Sequence, residues 1–283
     1  MGFRQIKKQP NMTGISSGSL ATGSIPTSGL HRATYLRCLN SSGVALTRTQ
    51  IEADIGDITV RINGEIILEA SVDLLFDLQR YYGDKNGAGN VDGIVPIFWG
   101  LPYFKTDLER SVYDLGMANV RSFTVEAKID GVAALSTIEI LSEVENTSRI
   151  LGAHRRITKF PRNFSSTGVQ ELSDLPKDDQ NTGYIAMHVE ESAGRIDQVT
   201  LKRNTTDIIN ELDAKLNQVL LEDSGRTPQA GYFHIDMARS NDIAGIIRMG
   251  VLDWRQEFTW NASAGAPGNY NLYIERIFGL KSV

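Results

Sequence analysis

At 283 residues the chain has room for one large domain or for two of about 120–140 residues, each able to bury its own core. A hydrophobic fraction of 41% and a charged fraction of 22% fit a globular protein, and a net charge of −5 argues against a surface built to coat nucleic acid. No apolar run approaches the roughly 18–20 residues of a membrane helix, and the single cysteine, Cys38, excludes an internal disulfide.

The chain opens on MGFRQIKKQP, which is basic but is not followed by the apolar stretch of a secretory signal. Arg4, Lys7 and Lys8 cluster beside Phe3 and Ile6. Residues 13–29 then hold twelve Gly, Ser or Thr in seventeen positions. Such a stretch buries too little apolar surface to offset its ordering entropy. Residues 1–30 therefore read as an extended arm that needs a partner, with Arg4, Lys7 and Lys8 facing the lattice or a membrane.

Beyond residue 30 the pattern is mostly β. HRATYLRCL (31–39) and ITVRI (58–62) read as strands, and Asn63-Gly64 supplies a tight turn into EIILEA. From Ser71 the period changes to helical: Val72, Leu75, Phe76, Leu78 and Tyr82 share one face before Gly83. DKNGAGNVDG (84–93) offers oxygen donors at Asp84, Asn86 and Asp92 for a structural calcium. Ala88 and Val95 stand where an EF-hand needs ligands, so a glycine-rich turn is the simpler reading. After the apolar strand 94–99, TDLERSVYDLG (106–116) has a capping box at Thr106 and Glu109 and ends on Gly116, which predicts a short helix. Strands 121–129 and 137–144 follow.

The second half repeats this order. Strands 184–190 and 197–203 precede an amphipathic pattern over 205–222 carried by Ile208, Leu212, Leu216 and Val219. Then come strand 231–238, a second short helix at SNDIAGIIRMG (240–250), and strands 252–260 and 270–278. Thr106/Ser240, Gly116/Gly250, Ile138/Leu272 and Ile140/Ile274 all share an offset of 134 residues. The shared order predicts two copies of one β-rich domain, with the junction near 149–154. The expected fold is all-β with short flanking helices: two tandem jelly-roll β-sandwiches over 31–150 and 151–283.

Chemistry is sparse. His31, His154, His188 and His234 occur without HxH, HExxH or cysteine partners, and no G-x-S-x-G, Walker or G-x-G-x-x-G motif is present. The chain is therefore not expected to be an enzyme or to need a cofactor other than structural calcium. Arg149, Arg155, Arg156, Lys159 and Arg162 form a basic run, but Glu171, Asp174, Asp178 and Asp179 follow, so ion pairing between subunits or solvation is expected rather than nucleic-acid binding. Trp99, Trp254 and Trp260 could form a sugar platform; the phase of Trp254 and Trp260 with Leu252 and Phe258 favours a core instead.

Three stretches carry a family likeness: ITKFPRNFSSTGVQELSDLP (157–176), YDLGMANVRSFTVEAKID (113–130) and NLYIERIFGL (271–280). Together they resemble the major capsid protein of corticovirus-type phages, which are tailless, icosahedral and membrane-containing. The resemblance implies a double jelly-roll subunit that forms homotrimers of nearly hexagonal outline. These would tile a shell around an internal lipid membrane, assembled in the host cytoplasm. It implies as partners neighbouring capsomers, penton or vertex proteins, and minor capsid or membrane proteins, with no sequence-specific nucleic-acid binding. A carbohydrate-binding, lectin-like β-sandwich protein, such as a receptor-binding element, is the alternative reading.

Overall fold

The computed structural model describes residues 3–83, 93–104, 106, 110–164, 167–176, 181–191, 195–249, 254–260 and 268–280. The chain divides into two compact units, Met1–Thr158 and Lys159–Val283.

The first unit contains strands β1 (Arg4–Lys8), β2 (Leu20–Ser24) and β3 (Leu30–Leu39), helix α1 (Arg48–Asp54), and strands β4 (Ile55–Ile62) and β5 (Glu65–Ser71). Helix α2 (Val72–Tyr81) follows, then β6 (Ile94–Phe98), β7 (Leu115–Gly116), β8 (Phe123–Ile129) and β9 (Thr137–Glu145). One sheet runs β1-β9-β3-β6, with β7 added to β3; the other runs β2-β8-β4-β5. Alternation sets which side faces in. On β8, Phe123, Val125, Ala127 and Ile129 are buried while Lys128 is exposed. Leu36, Ile58, Val60, Phe76, Ile138 and Ile140 complete the core. Between β4 and β5, Asn63 and Gly64 have φ of 52° and 86°, the left-handed pair that a tight hairpin needs. The Asn63 side chain also accepts the amides of Arg121 and Ser122 at 2.7 and 3.2 Å.

Strand β10 (His154–Phe164) leads into the second unit, which holds β11 (Gly168–Leu172), β12 (Gly183–Glu190), β13 (Ile196–Arg203) and β14 (Thr206–Asp213). Helix α3 (Ala214–Asp223), β15 (Tyr232–Asp236), β16 (Ile247–Arg248), β17 (Trp254–Trp260) and β18 (Gly268–Phe278) complete it. Its sheet orders are β10-β18-β12-β15, with β16 added to β12, and β11-β17-β13-β14.

Setting aside the two-residue strands, each unit has eight main strands among the described residues, paired as first-eighth-third-sixth and second-seventh-fourth-fifth. That is jelly-roll connectivity, and it occurs twice.

The expected arm is corrected by this count. Residues 4–8 and 20–24 are the first two strands of the first sandwich, paired antiparallel with β9 and β8. The backbone between them is also held: Gln9 and Met12 amides donate to the carbonyls of Ile140 and Ile138 at 2.8 and 2.9 Å. Glycine and serine are tolerated because the sheets supply the hydrogen bonds that the segment cannot make alone. The boundary between units falls after Thr158 rather than at 150/151.

Two helix expectations also change. In 205–222 the β-branched residues Thr206, Ile208 and Ile209 lie in β14, which pairs with β13, and only after Asp213 does a helix begin. Asp213 caps it by accepting the amides of Lys215 and Leu216. In 240–250 the helix shrinks to a 3₁₀ turn, Ile243–Gly245, capped by Asp242, before β16. Of 106–116, residues 107–109 lie outside the described residues, and its end forms β7 on Leu30 and His31. Gly116 is there because a Cβ would strike the carbonyls of Ile150 and Arg149, not to stop a helix. Gly250 lies outside the described residues.

Candidate assembly surfaces and a buried histidine chain

Arg4, Lys7 and Lys8 sit on β1, the terminal strand of its sheet. Arg4 lies 3.8 Å from Glu143, and Lys8 pairs with Glu139, which Arg37 also engages. Hydrogen bonds from Lys8 and Arg37 hold the Glu139 carboxyl below the usual range. Between these pairs Ile6 is 71% exposed, and Phe3 is 63% exposed just before them.

The basic run beyond residue 149 finds partners within its own units. Arg149 donates to the carbonyls of Ser111 and Val112, Arg155 to that of Phe98, Arg156 to Glu65 at 2.8 Å, and Arg162 to Asp174 at 3.1 Å. Trp99 is buried and donates its indole N–H to Thr34 Oγ1 at 3.2 Å, so it is no sugar platform. The calcium candidates Asp84, Asn86 and Asp92 lie outside the described residues. So do Asp178 and Asp179, and nothing is described of the Trp254 and Trp260 side chains.

All four histidines are buried. Two meet: β12 and β15 place His188 directly opposite His234, and Glu275 of β18 adjoins His188. The hydrogen bonds fix one direction. The Gln229 amide donates to His234 Nε2 at 3.2 Å, so His234 carries its proton on Nδ1. That N–H donates to His188 Nδ1 at 2.7 Å, and His188 Nε2–H donates to Glu275 Oε1 at 3.0 Å. Burial, with the His188 ring beside it, holds His234 well below its ordinary pKa. Residues 46 and 87 positions apart gave no sequence signal for this cluster; only strand register brings them together. Among the described residues no group of three His, Cys, Asp or Glu is arranged to hold a metal. The chain of donors ties β12, β15 and β18 of the second sandwich together through their side chains.

Two jelly rolls in tandem on one chain, with matching strand order, define the double jelly-roll class. Comparison with known families agrees: the model for the viral coat protein P2 N-terminal domain matches residues 6–145, and that for the P2 C-terminal domain matches 154–280. The chain belongs to the viral coat protein P2 family, and its role is that of a viral major capsid protein, a component of the virion shell.

Solved structures share the fold. The major capsid protein P2 of bacteriophage PM2 superposes with a TM-score of 0.83 at 16% identity, covering 99% of this chain and 98% of its own. The capsid protein of Sulfolobus Turreted Icosahedral Virus gives 0.70 at 13% identity, covering 99% and 98%. VP54 of PBCV-1 gives 0.64 at 10% identity, covering 98% and 95%. No curated protein sequence matches.

Proposed function

We propose that three copies of the chain form one capsomer in which six similar sandwiches make a nearly hexagonal block, and that such blocks tile an icosahedral shell. The observation that carries this reading is the repeated strand order of the two units. A threefold assembly of duplicated domains offers six near-equivalent sides, and the duplication lets the two copies differ where their contacts differ. The shell would enclose a lipid membrane and meet vertex and minor capsid proteins at its borders. Among the described residues no helix is long and apolar enough to cross a membrane, so contact with lipid would be made at a surface. Calcium bound by Asp84, Asn86 and Asp92 would be a lattice stabiliser, tested by the effect of a chelator on capsomer mass. Light scattering on the purified protein tests the capsomer itself: the expected mass is three times the 31.2 kDa chain, and a single-chain mass at micromolar concentration overturns it.

A further inference from the structure

The two sandwiches differ at one sheet edge. In the first unit β5 ends its sheet, yet its open side is occupied: Ile157, in β10, lies parallel to it and pairs with Leu68. Its counterpart in the second unit is β14, the fifth strand of the other jelly roll. Among the described residues β14 has β13 on one side and no strand on the other. Such an edge presents a row of backbone donors and acceptors that a further strand can use.

The strand that fills this edge in the first unit is itself a first strand. β10 pairs with β18, the eighth strand of its own jelly roll, and its other side serves β5. β1 holds the corresponding place in the first jelly roll: it pairs with β9, and its other side has no strand partner among the described residues. Among the described residues, one copy of the chain therefore carries one fifth-strand edge and one first-strand edge without a strand partner.

Their chemistry is complementary. The segment Thr206–Asp223 exposes Asp207, Glu211, Asp213, Glu222 and Asp223 against Lys215 alone, around Ile208, which is 38% exposed. The β1 strand presents Lys7 around the exposed Ile6, with Arg4 and Lys8 exposed beside it while also engaging Glu143 and Glu139 of their own sheet.

We infer that β14 of one subunit takes up β1 of a second copy in parallel, repeating between chains the pairing that β5 and Ile157 make within one. Leu68 stands fourth in β5 and Ile157 fourth in β10, so the fourth residue of β14, Ile209, receives Lys7, the fourth of β1, and Ile208 comes beside Ile6 on the same face. Repeated three times head to tail, the contact closes a ring. This inference rests on the threefold reading above and supplies its contact.

Two single-cysteine variants, Ile6→Cys and Ile208→Cys, and the double variant test it. Cys38 is buried, so the introduced thiols are the reactive ones. Wild-type mass is read first by light scattering: a monomer there defeats the threefold reading itself. With a trimer established, a bismaleimide spanning about one strand spacing, on the order of 5–10 Å, is applied to the double variant. The expected result is a covalent ladder reaching three chains on a denaturing gel, with neither single variant laddering. A trimer whose double variant stays at single-chain mass under denaturing conditions overturns the strand pairing while leaving the threefold assembly standing.

Discussion

The Glu275→Leu substitution probes the histidine chain most directly. Glu275 Oε1 accepts from His188 Nε2–H at 3.0 Å, and both side chains have no solvent exposure. Leucine fills similar volume but removes the acceptor and strands a donor that water cannot reach. Such a buried unsatisfied group costs about 1–3 kcal/mol. His188 cannot simply turn its proton around, because Nδ1 already accepts from His234, whose own Nε2 is committed to the Gln229 amide. For a domain near the size of the second unit, each kcal/mol moves Tm by about 3–5 °C, so Glu275→Leu should lower the melting temperature by roughly 3–15 °C at pH 7.5. Glu275→Gln keeps an acceptor oxygen and should lose less than half as much. Melting followed by near-ultraviolet circular dichroism reads the difference. If both variants melt within 1 °C of wild type, the directed chain contributes nothing and the assignment is wrong.

Other expectations concern acid, packing and a buried ion pair. Burial lowers the His31 pKa to about 4 and moves His154 and His234 in the same direction. The unfolded chain therefore takes up more protons, and their stabilisation, complete above about pH 6.5, is lost as pH falls toward the folded values, at about 1.4 kcal/mol per pH unit per group. Asp114 acts oppositely: burial, exceeding the pull of Arg32 and Arg149, raises it to about 7, so its folded form gains stability as pH falls from 7 toward 3.8. Urea unfolding at pH 7.5, 6 and 5 should show net acid loss, steeper in Asp114→Asn; equal stability at all three values refutes this. Arg226→Met removes the cation whose Nε lies 2.6 Å from Asp236 Oδ2, with both side chains buried, and should cost about 3–5 kcal/mol. Pairing it with Asp236→Leu should recover part of that loss, and a double variant less stable than Arg226→Met contradicts the ion-pair account. Gly116→Ala should destabilise by about 1–3 kcal/mol through its clash with the carbonyls of Arg149 and Ile150, read by the same melts.

Period and turn chemistry made much of this architecture legible. The alternation at Phe123–Ile129, the Asn63-Gly64 turn and the cap at Ser71 all act locally, and each stands in the fold as the residues implied. The duplication was readable because element order survives when identity fades. What failed was decided by distant partners. Thr13–Gly29 resembles a loose linker until β8 pairs with Leu20–Ser24 and the carbonyls of Ile129 and Phe123 accept the amides of Gly18 and Ile25. Ile208, Leu212, Leu216 and Val219 fit a helical face, yet β13 draws the first part into a sheet. The exposure of Ile208, Leu216 and Val219 shows that a matching period is not burial. His188 and His234 meet only through the register of β12 and β15, which no local pattern encodes.

Electron cryomicroscopy of the isolated capsomer examines the threefold arrangement of duplicated sandwiches most directly. Class averages viewed down its axis should contain six β-sandwich lobes alternating between two types under threefold symmetry. Particles with one pair of lobes, or with a symmetry other than threefold, would contradict it.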